Sequence, residues 1–319
     1  MKKVIIFFLV CILLFSCSTR PTNITTYSMN RNIAPESNNI HNIYSSNTNL
    51  QIFFPLLTDE QNIPVGGDGI VLIFPNNEVM VIDGFYSEAA DNFIDFLKNE
   101  LKIEKIDYLI ATHFHADHIG SFSKILDSFQ ITNFYSNGAP INTHLSSSFL
   151  DKRKELGINE IVLKEGDSLQ IGEVNFDVFW PSLTEEDLYK IYYEPGKTAE
   201  IINLSSLVMR MTFNDFSILF TGDLYRKGEK KLVKKYGNKL ESTVLKAPHH
   251  GDFYTANSRK FLITVNPEIT IAQTPKDFHF FTKARFISLN KKLIRVEQSG
   301  LIKIESNGYE YTIDEFFFE

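Results

Sequence analysis

Residues 112 to 118 read Thr-His-Phe-His-Ala-Asp-His and stand directly behind the apolar run from Ile106 to Ala111. Three imidazoles and a carboxylate within seven residues form a donor set that zinc and other divalent transition ions favour. The preceding run has the length and apolar continuity of a buried strand. Side chains alternate along an extended segment, so His113 and His115 project together, while the turn that follows carries Asp117 and His118 toward a second position. A chain built this way has to fold so that one strand ends in a cleft.

Three further apolar runs end in similar residues. Val79 to Gly84, VMVIDG, ends in Asp83; Ser217 to Leu224, SILFTGDL, carries Asp223; Leu245 to Gly251, LKAPHHG, carries His249 and His250. Each alone says little, because Asp beside Gly is ordinary turn chemistry. Their order is informative: strand-Asp, HxHxDH, strand-TGD, strand-HH resembles the motif order of the metallo-β-lactamase superfamily from about Leu50 to about Ile304. Within it the chain is most similar to the hydrolase domain of ComEC-type DNA-uptake proteins and its free-standing relatives. VGGDGIVLI at Val65 to Ile73, containing Asp68, SSLVMRM at Ser205 to Met211 and the APHHGD stretch carry that resemblance, as do Pro267, His279 and the closing run GLIKI at Gly300 to Ile304.

The resemblance implies an α/β fold, a four-layer αββα sandwich, with one hydrolase domain over residues 50–319. It implies a divalent cofactor, Zn or Mn, as two ions: one at His113, His115 and Asp223, the other at Asp117, His118, Asp223 and one of His249 and His250. Many members of the superfamily place a further histidine between HxHxDH and TGD. Here that neighbourhood reads EIINLSS, and Asn203 is a weak candidate ligand. His144, in the polar stretch NTHLSSS, is expected to be exposed near a helix start and outside the site.

The implied chemistry is metal-assisted hydrolysis, in which bound water loses its proton near pH 7 and is shared by ions about 3.5–4 Å apart. Asp117, His250 and Asp83 are expected to act in it. Asp83 would orient a ligand imidazole, and whichever of His249 and His250 is not a ligand would protonate the leaving group. The resemblance favours a phosphodiester. A lactone or thioester substrate is the alternative, and a noncatalytic metal-binding surface lipoprotein is a reading of another class.

Lys2 and Lys3 precede an apolar run, Val4 to Phe15, that is too short to span a bilayer but suits a signal-peptide core. The sequence Leu14-Phe15-Ser16-Cys17 resembles a bacterial lipoprotein processing site, so residues 1–16 are expected to be removed and Cys17 lipidated. Export to the cell envelope with a membrane anchor follows. The two cysteines of the chain, Cys11 and Cys17, then leave no disulfide in the mature domain. Residues 17–49, rich in Asn, Ser and Thr, read as a disordered tether. Losing Lys2 and Lys3 leaves 30 basic against 39 acidic residues, so the formal charge goes from −7 to −9. That balance does not support tight nonspecific binding to nucleic acid, and the run KGEKKLVKK at Lys227 to Lys235 is expected to be a solvated helix face.

Apolar residues at Ala90, Phe93, Ile94, Leu97 and Leu101 recur at helical spacing, predicting a helix that leads to the HxHxDH strand. Further helices are expected over Ile119 to Phe129 and Ser258 to Val265. The segment Pro181 to Asn203, with Tyr189, Tyr192 and Tyr193, reads as a cleft wall or as a surface insertion.

Overall fold

The computed structural model describes residues 29–33, 48–194, 199–275 and 277–317. In chain order the strands are β1 (Met29–Ile33), β2 (Leu50–Pro55), β3 (Leu57–Thr58), β4 (Pro64–Val65), β5 (Ile70–Ile73), β6 (Val79–Ile82), β7 (Lys105–Ala111), β8 (Gln130–Ser136) and β9 (Glu160–Val162). Then follow β10 (Ser168–Ile171), β11 (Val174–Trp180), β12 (Val208–Phe213), β13 (Phe216–Phe220), β14 (Val244–Lys246), β15 (Ile269–Ala272), β16 (Lys292–Arg295), β17 (Leu301–Ser306) and β18 (Tyr311–Phe317). The main α-helices are α1 (Ala90–Asp95), α2 (Ala116–Ile119), α3 (Phe122–Ser128), α4 (His144–Glu155), α5 (Glu185–Tyr193), α6 (Ala199–Leu204), α7 (Arg226–Tyr236), α8 (Arg259–Val265) and α9 (Phe280–Ser288).

One sheet has the order β1-β18-β17-β2-β5-β6-β7-β8-β9 and the other β10-β11-β12-β13-β14-β15-β16. The period of two along each strand assigns side chains to layers. In β5, Ile70 and Leu72 enter the cluster between the sheets, where they meet Phe176, Met209, Ile218 and Ile271. Val71 and Ile73 point the other way, into a cluster with Phe93, Phe122, Ile125 and Phe149 from α1, α3 and α4. On the second sheet Val244 faces inward, while Leu245 packs outward against Leu232 of α7 and Phe261 and Leu262 of α8. Helices, sheet, sheet and helices therefore stack as a four-layer αββα sandwich. Each fully buried Phe, Leu or Ile contributes roughly 1.5–3 kcal/mol to it.

Two local expectations are corrected. The helix expected from Ile119 to Phe129 is two helices, α2 and α3, separated at Gly120-Ser121. Gly120 N donates to Phe85 O at 2.8 Å and Ser121 N to Gly84 O at 3.0 Å, so the helical ladder is interrupted where the loop after Asp83 passes, and a Cβ at Gly120 would come within 2.4 Å of Ser87 N. Within the stretch expected as tether, Met29–Ile33 pairs in parallel with β18 as an edge strand. A sheet edge presents unpaired backbone groups that accept a strand almost irrespective of its side chains, so hydropathy gives no warning of it.

The parallel pairs β6·β7 and β13·β14·β15 position the site. Loops leaving the carboxyl ends of parallel strands gather on one edge of a sheet. The two sheets bring these edges together.

Candidate metal centre

Asp83 follows β6 in the left-handed backbone region, φ 62°, and His249 and His250 adopt the same region after β14 with φ 48° and 52°. A non-glycine residue there costs of order 1 kcal/mol or more, a strain that gathers at functional sites. The HxHxDH turn is braced from below. Asp68 N donates to Asp117 O at 3.1 Å, and a Cβ at Gly67 would stand 2.2 Å from the same oxygen, so only glycine lets the two backbones approach this closely.

Asp117, His118, Asp223 and His250 each aim one donor atom at a common volume, all within 4.8 Å of one another. Nε2 of His118 lies 3.3 Å from Asp223 Oδ2. Nε2 of His250 lies 3.4 Å from that oxygen and 3.3 Å from Asp117 Oδ2. His118 Nε2, His250 Nε2 and Asp223 Oδ1 are buried without a hydrogen-bond partner. Orphaned buried polar atoms converging on one point are costly unless something charged satisfies them, and two imidazoles with two carboxylates fit a divalent cation. The floor is closed, with the Asp223 side chain 2% and His118 0% exposed, whereas Asp117 and His250 are 19% and 18% exposed and face the opening.

Electrostatics agree with the geometry. Burial pushes the Asp223 carboxyl upward, but the charges of His250 and His118 more than offset that and hold it well below the usual carboxylate range. Burial alone would lower His118, yet Asp223, Asp117 and Asp83 raise it well above the usual imidazole value. His250 is raised likewise, by Asp223 and Asp68.

Behind each of these imidazoles stands a buried carboxylate. Asp83 Oδ2 meets His118 Nδ1 at 2.8 Å, and Asp83 itself accepts from Thr112 N at 2.8 Å and Thr112 Oγ1 at 2.7 Å. Asp68 Oδ1 meets His250 Nδ1 at 3.1 Å. Asp68, Asp83 and His118 also come close enough together to resemble a second ion site. They are better read as supports, because His118 Nδ1 is already engaged by Asp83 and Asp68 Oδ2 is paired with Lys246 Nζ.

A family model described as the metallo-beta-lactamase superfamily matches residues 69–273, well over half of the chain. The chain belongs to the metallo-β-lactamase superfamily. Competence protein ComA of Neisseria gonorrhoeae is 38% identical over 243 residues, covering 74% of this chain and 31% of that protein. ComE operon protein 3 of Bacillus subtilis is 27% identical over 206 residues, covering 63% and 25%. The chain thus spans a quarter to a third of the length of these relatives. The crystal structure of the metallo-beta-lactamase fold protein YhfI from Bacillus subtilis aligns at 11% identity with a TM-score of 0.52, over 81% of this chain and all of that one, a likeness of fold. The superfamily consists mostly of metal-dependent hydrolases, and this member carries a candidate His/Asp metal cluster.

His113 and His115 do not join this cluster. His113 Nε2 and His115 Nδ1 lie 3.0 Å apart, and His113 Nδ1 stands 3.2 Å from Thr112 Oγ1 and 3.4 Å from Ser206 Oγ. Burial, reinforced by the His118 charge, lowers both imidazoles. Among the described residues the pair joins no group of three tightly converging donors. Asn203, on α6, neighbours His115, and its Oδ1 is buried without a partner. His249 stands aside from the four-residue cluster: its Nδ1 is 2.6 Å from Thr255 Oγ1 and its Nε2 is 3.8 Å from Asp223 Oδ2. His144 is the exposed first residue of α4, and Cys17 lies outside the described residues. Tyr189, Tyr192 and Tyr193 are exposed on α5 and pack on one another.

Sequence reading assigned no role to Lys246 or Thr112, and it recognised Asp68 without finding its place. A lysine inside an otherwise apolar strand run was the available signal for the first. The loops that carry Asp68 and His250 are 182 residues apart, so their contact leaves no local trace.

Proposed function

We propose that the protein is a metal-dependent phosphodiesterase or nuclease-like enzyme that hydrolyses its substrate at the Asp117, His118, Asp223 and His250 cluster. The observation that carries this reading is the cluster's one open side. Structural zinc sites are closed by four ligands, whereas here two donors form a buried floor and two border solvent. A bound divalent ion, Zn or Mn on this mixed nitrogen and oxygen donor set, supplies Lewis acidity and an acidified water. Asp223 meets His118, His250 and His249 through Oδ2, and its Oδ1, buried without a hydrogen-bond partner, would be the oxygen left for a second ion. His113, His115 and Asn203 would border the second. Asp83 fixes the His118 ring so that Nε2 faces inward. His249, outside the cluster with its Nδ1 on Thr255, would be the imidazole left to hand a proton to the leaving group, against burial, which lowers it below the ordinary imidazole value. His250, expected in that role or as a ligand, takes the ligand's position.

A phosphodiester is favoured by the resemblance to the hydrolase domain of DNA-uptake proteins and by the two competence proteins among the relatives. Exposed rings of Tyr254, Phe280 and Phe281 gather with Phe253 and His279 beside the histidine turn, a surface on which bases can stack. Exported placement rests on the apolar run before Cys17. No helix among the described residues is long and apolar enough to cross a membrane, and a lipid on Cys17 would supply the anchor. Labelled fatty acid should enter the wild type but not Cys17→Ala; an unlabelled wild type would refute the anchor.

Elemental analysis of the purified protein, followed by a screen of chromogenic phosphodiester, phosphomonoester, lactone and β-lactam substrates, tests the activity. Metal-dependent phosphodiester cleavage is expected. Cleavage of a lactone or thioester alone would overturn the substrate while leaving the site standing. A metal-loaded protein inert to all of them would favour a noncatalytic binding lipoprotein.

A further inference from the structure

Lys246 is 1% exposed at the end of β14. Its Nζ touches two groups, the Asp68 carboxylate, through Oδ2, and the carbonyl of Gly222 at 3.4 Å. The first stands directly behind His250. The second is the residue before Asp223, in the turn after β13. One ammonium thus joins the supports of two members of the cluster, which reach the site on different loops.

The two imidazoles of the cluster are backed unequally. The carboxylate behind His118, Asp83, is met by the hydroxyl and amide of Thr112, both neutral. The carboxylate behind His250, Asp68, is met by a buried cation. His250 Nδ1 is also within 3.1 Å of Gln273 O, so Asp68 has to be held in place to share that proton. Without a cation beside it, a carboxylate as buried as Asp68 is costly to keep charged.

We infer that Lys246 is a positioning residue for the metal centre, keeping Asp68 aligned so that His250 presents Nε2 inward while Asp223 is held from its own turn. The inference rests on the reading of Asp117, His118, Asp223 and His250 as ion ligands. Lys246 touches neither ion nor substrate.

Co²⁺ serves as the probe, with its dissociation constant measured by competition with a chelator and its visible absorption reporting coordination. Lys246→Met should weaken Co²⁺ binding by about 10–100-fold, the usual effect of losing an outer support, and should change the spectrum. Asp68→Asn/Lys246→Met removes both charges, so thermal stability should return toward wild type while Co²⁺ binding stays weak. A purely structural ion pair predicts the opposite for the double variant, with stability and affinity restored together. Phe149→Leu, a core change on α4, provides a control that lowers stability with wild-type Co²⁺ affinity and spectrum. If Lys246→Met does not fold, the double variant still tests the relay through Asp68, because wild-type affinity there would overturn it. A double variant within twofold of the wild-type dissociation constant, with an unchanged spectrum, would overturn the inference. Wild-type protein that takes up no Co²⁺ would instead overturn the reading of the metal centre and the inference with it.

Discussion

His118 and His250 sit among four carboxylates, Asp68, Asp83, Asp117 and Asp223, whereas His113 and His115 face one another with Asn203 as a neighbour. The first pair is raised above the ordinary imidazole value and the second lowered. Three of these four histidines come from one seven-residue turn, so residue type and local sequence do not account for the contrast. Partners delivered from other loops do. The anionic half is built to hold a cation strongly, while the imidazole half, with Asn203 as its further neighbour, offers fewer and weaker donors.

The largest expected effect comes from the residue shared by both halves. Asp223→Asn keeps the volume and removes the charge, so turnover should fall by several kcal/mol of transition-state stabilisation, on the order of 10³-fold, with the fold retained by circular dichroism. Activity that survives both this change and chelation would break the comparison. Metal content should then separate the halves: His118→Ala should empty the protein of more ion than Asn203→Ala, because one loses an imidazole and the other at most a carbonyl. Reversal of that order would show the imidazole half to be the stronger. Asp83→Ala leaves His118 in place without its support and should cost about 10–100-fold in metal affinity, measurable by chelator competition.

Proton linkage gives a smaller effect with opposite signs in the two halves. His118 and His250 have folded pKa values above the unfolded value of about 6.5, so in chelator-treated protein their contribution is fully present below pH 6.5 and is lost as pH rises through the raised values. His113 and His115 are lowered, so they favour the fold above pH 6.5 and their contribution is lost as pH falls through and below it. Thermal melts of the metal-free protein should show a smaller high-pH decline in His118→Gln, where His250 still contributes, and a smaller low-pH decline in His113→Gln, where His115 and Asp223 still contribute. The smallest effect belongs to His144→Ala, an exposed position whose stability change should stay within about 0.5 kcal/mol with turnover unaltered; a strong loss of activity there would extend the site beyond both halves.

Much of the architecture was legible in the chain. Alternation in runs such as Ile70 to Ile73 sorts side chains to two faces, and strand-end chemistry at Asp83, His113 to His118, Asp223 and His249-His250 marks where cleft residues emerge. The break of the expected helix at Gly120 was not legible, because it arises from contact with the backbone of residues 85–87. Nor was the edge strand at Met29–Ile33, which pairs with β18 through the backbone ladder of a sheet edge.

By itself the sequence determined which residue types stand at strand ends and in what order, because hydrophobic periodicity and turn chemistry act over a few residues. Only the tertiary structure decided that His250 rather than His249 joins the cluster of Asp117, His118 and Asp223, that Asp68 stands behind it, and that a strand lysine joins the two loops. Those choices depend on how two stacked sheets set loops more than a hundred residues apart against each other, and Coulomb energies between buried groups respond to that spacing far more than to any local pattern.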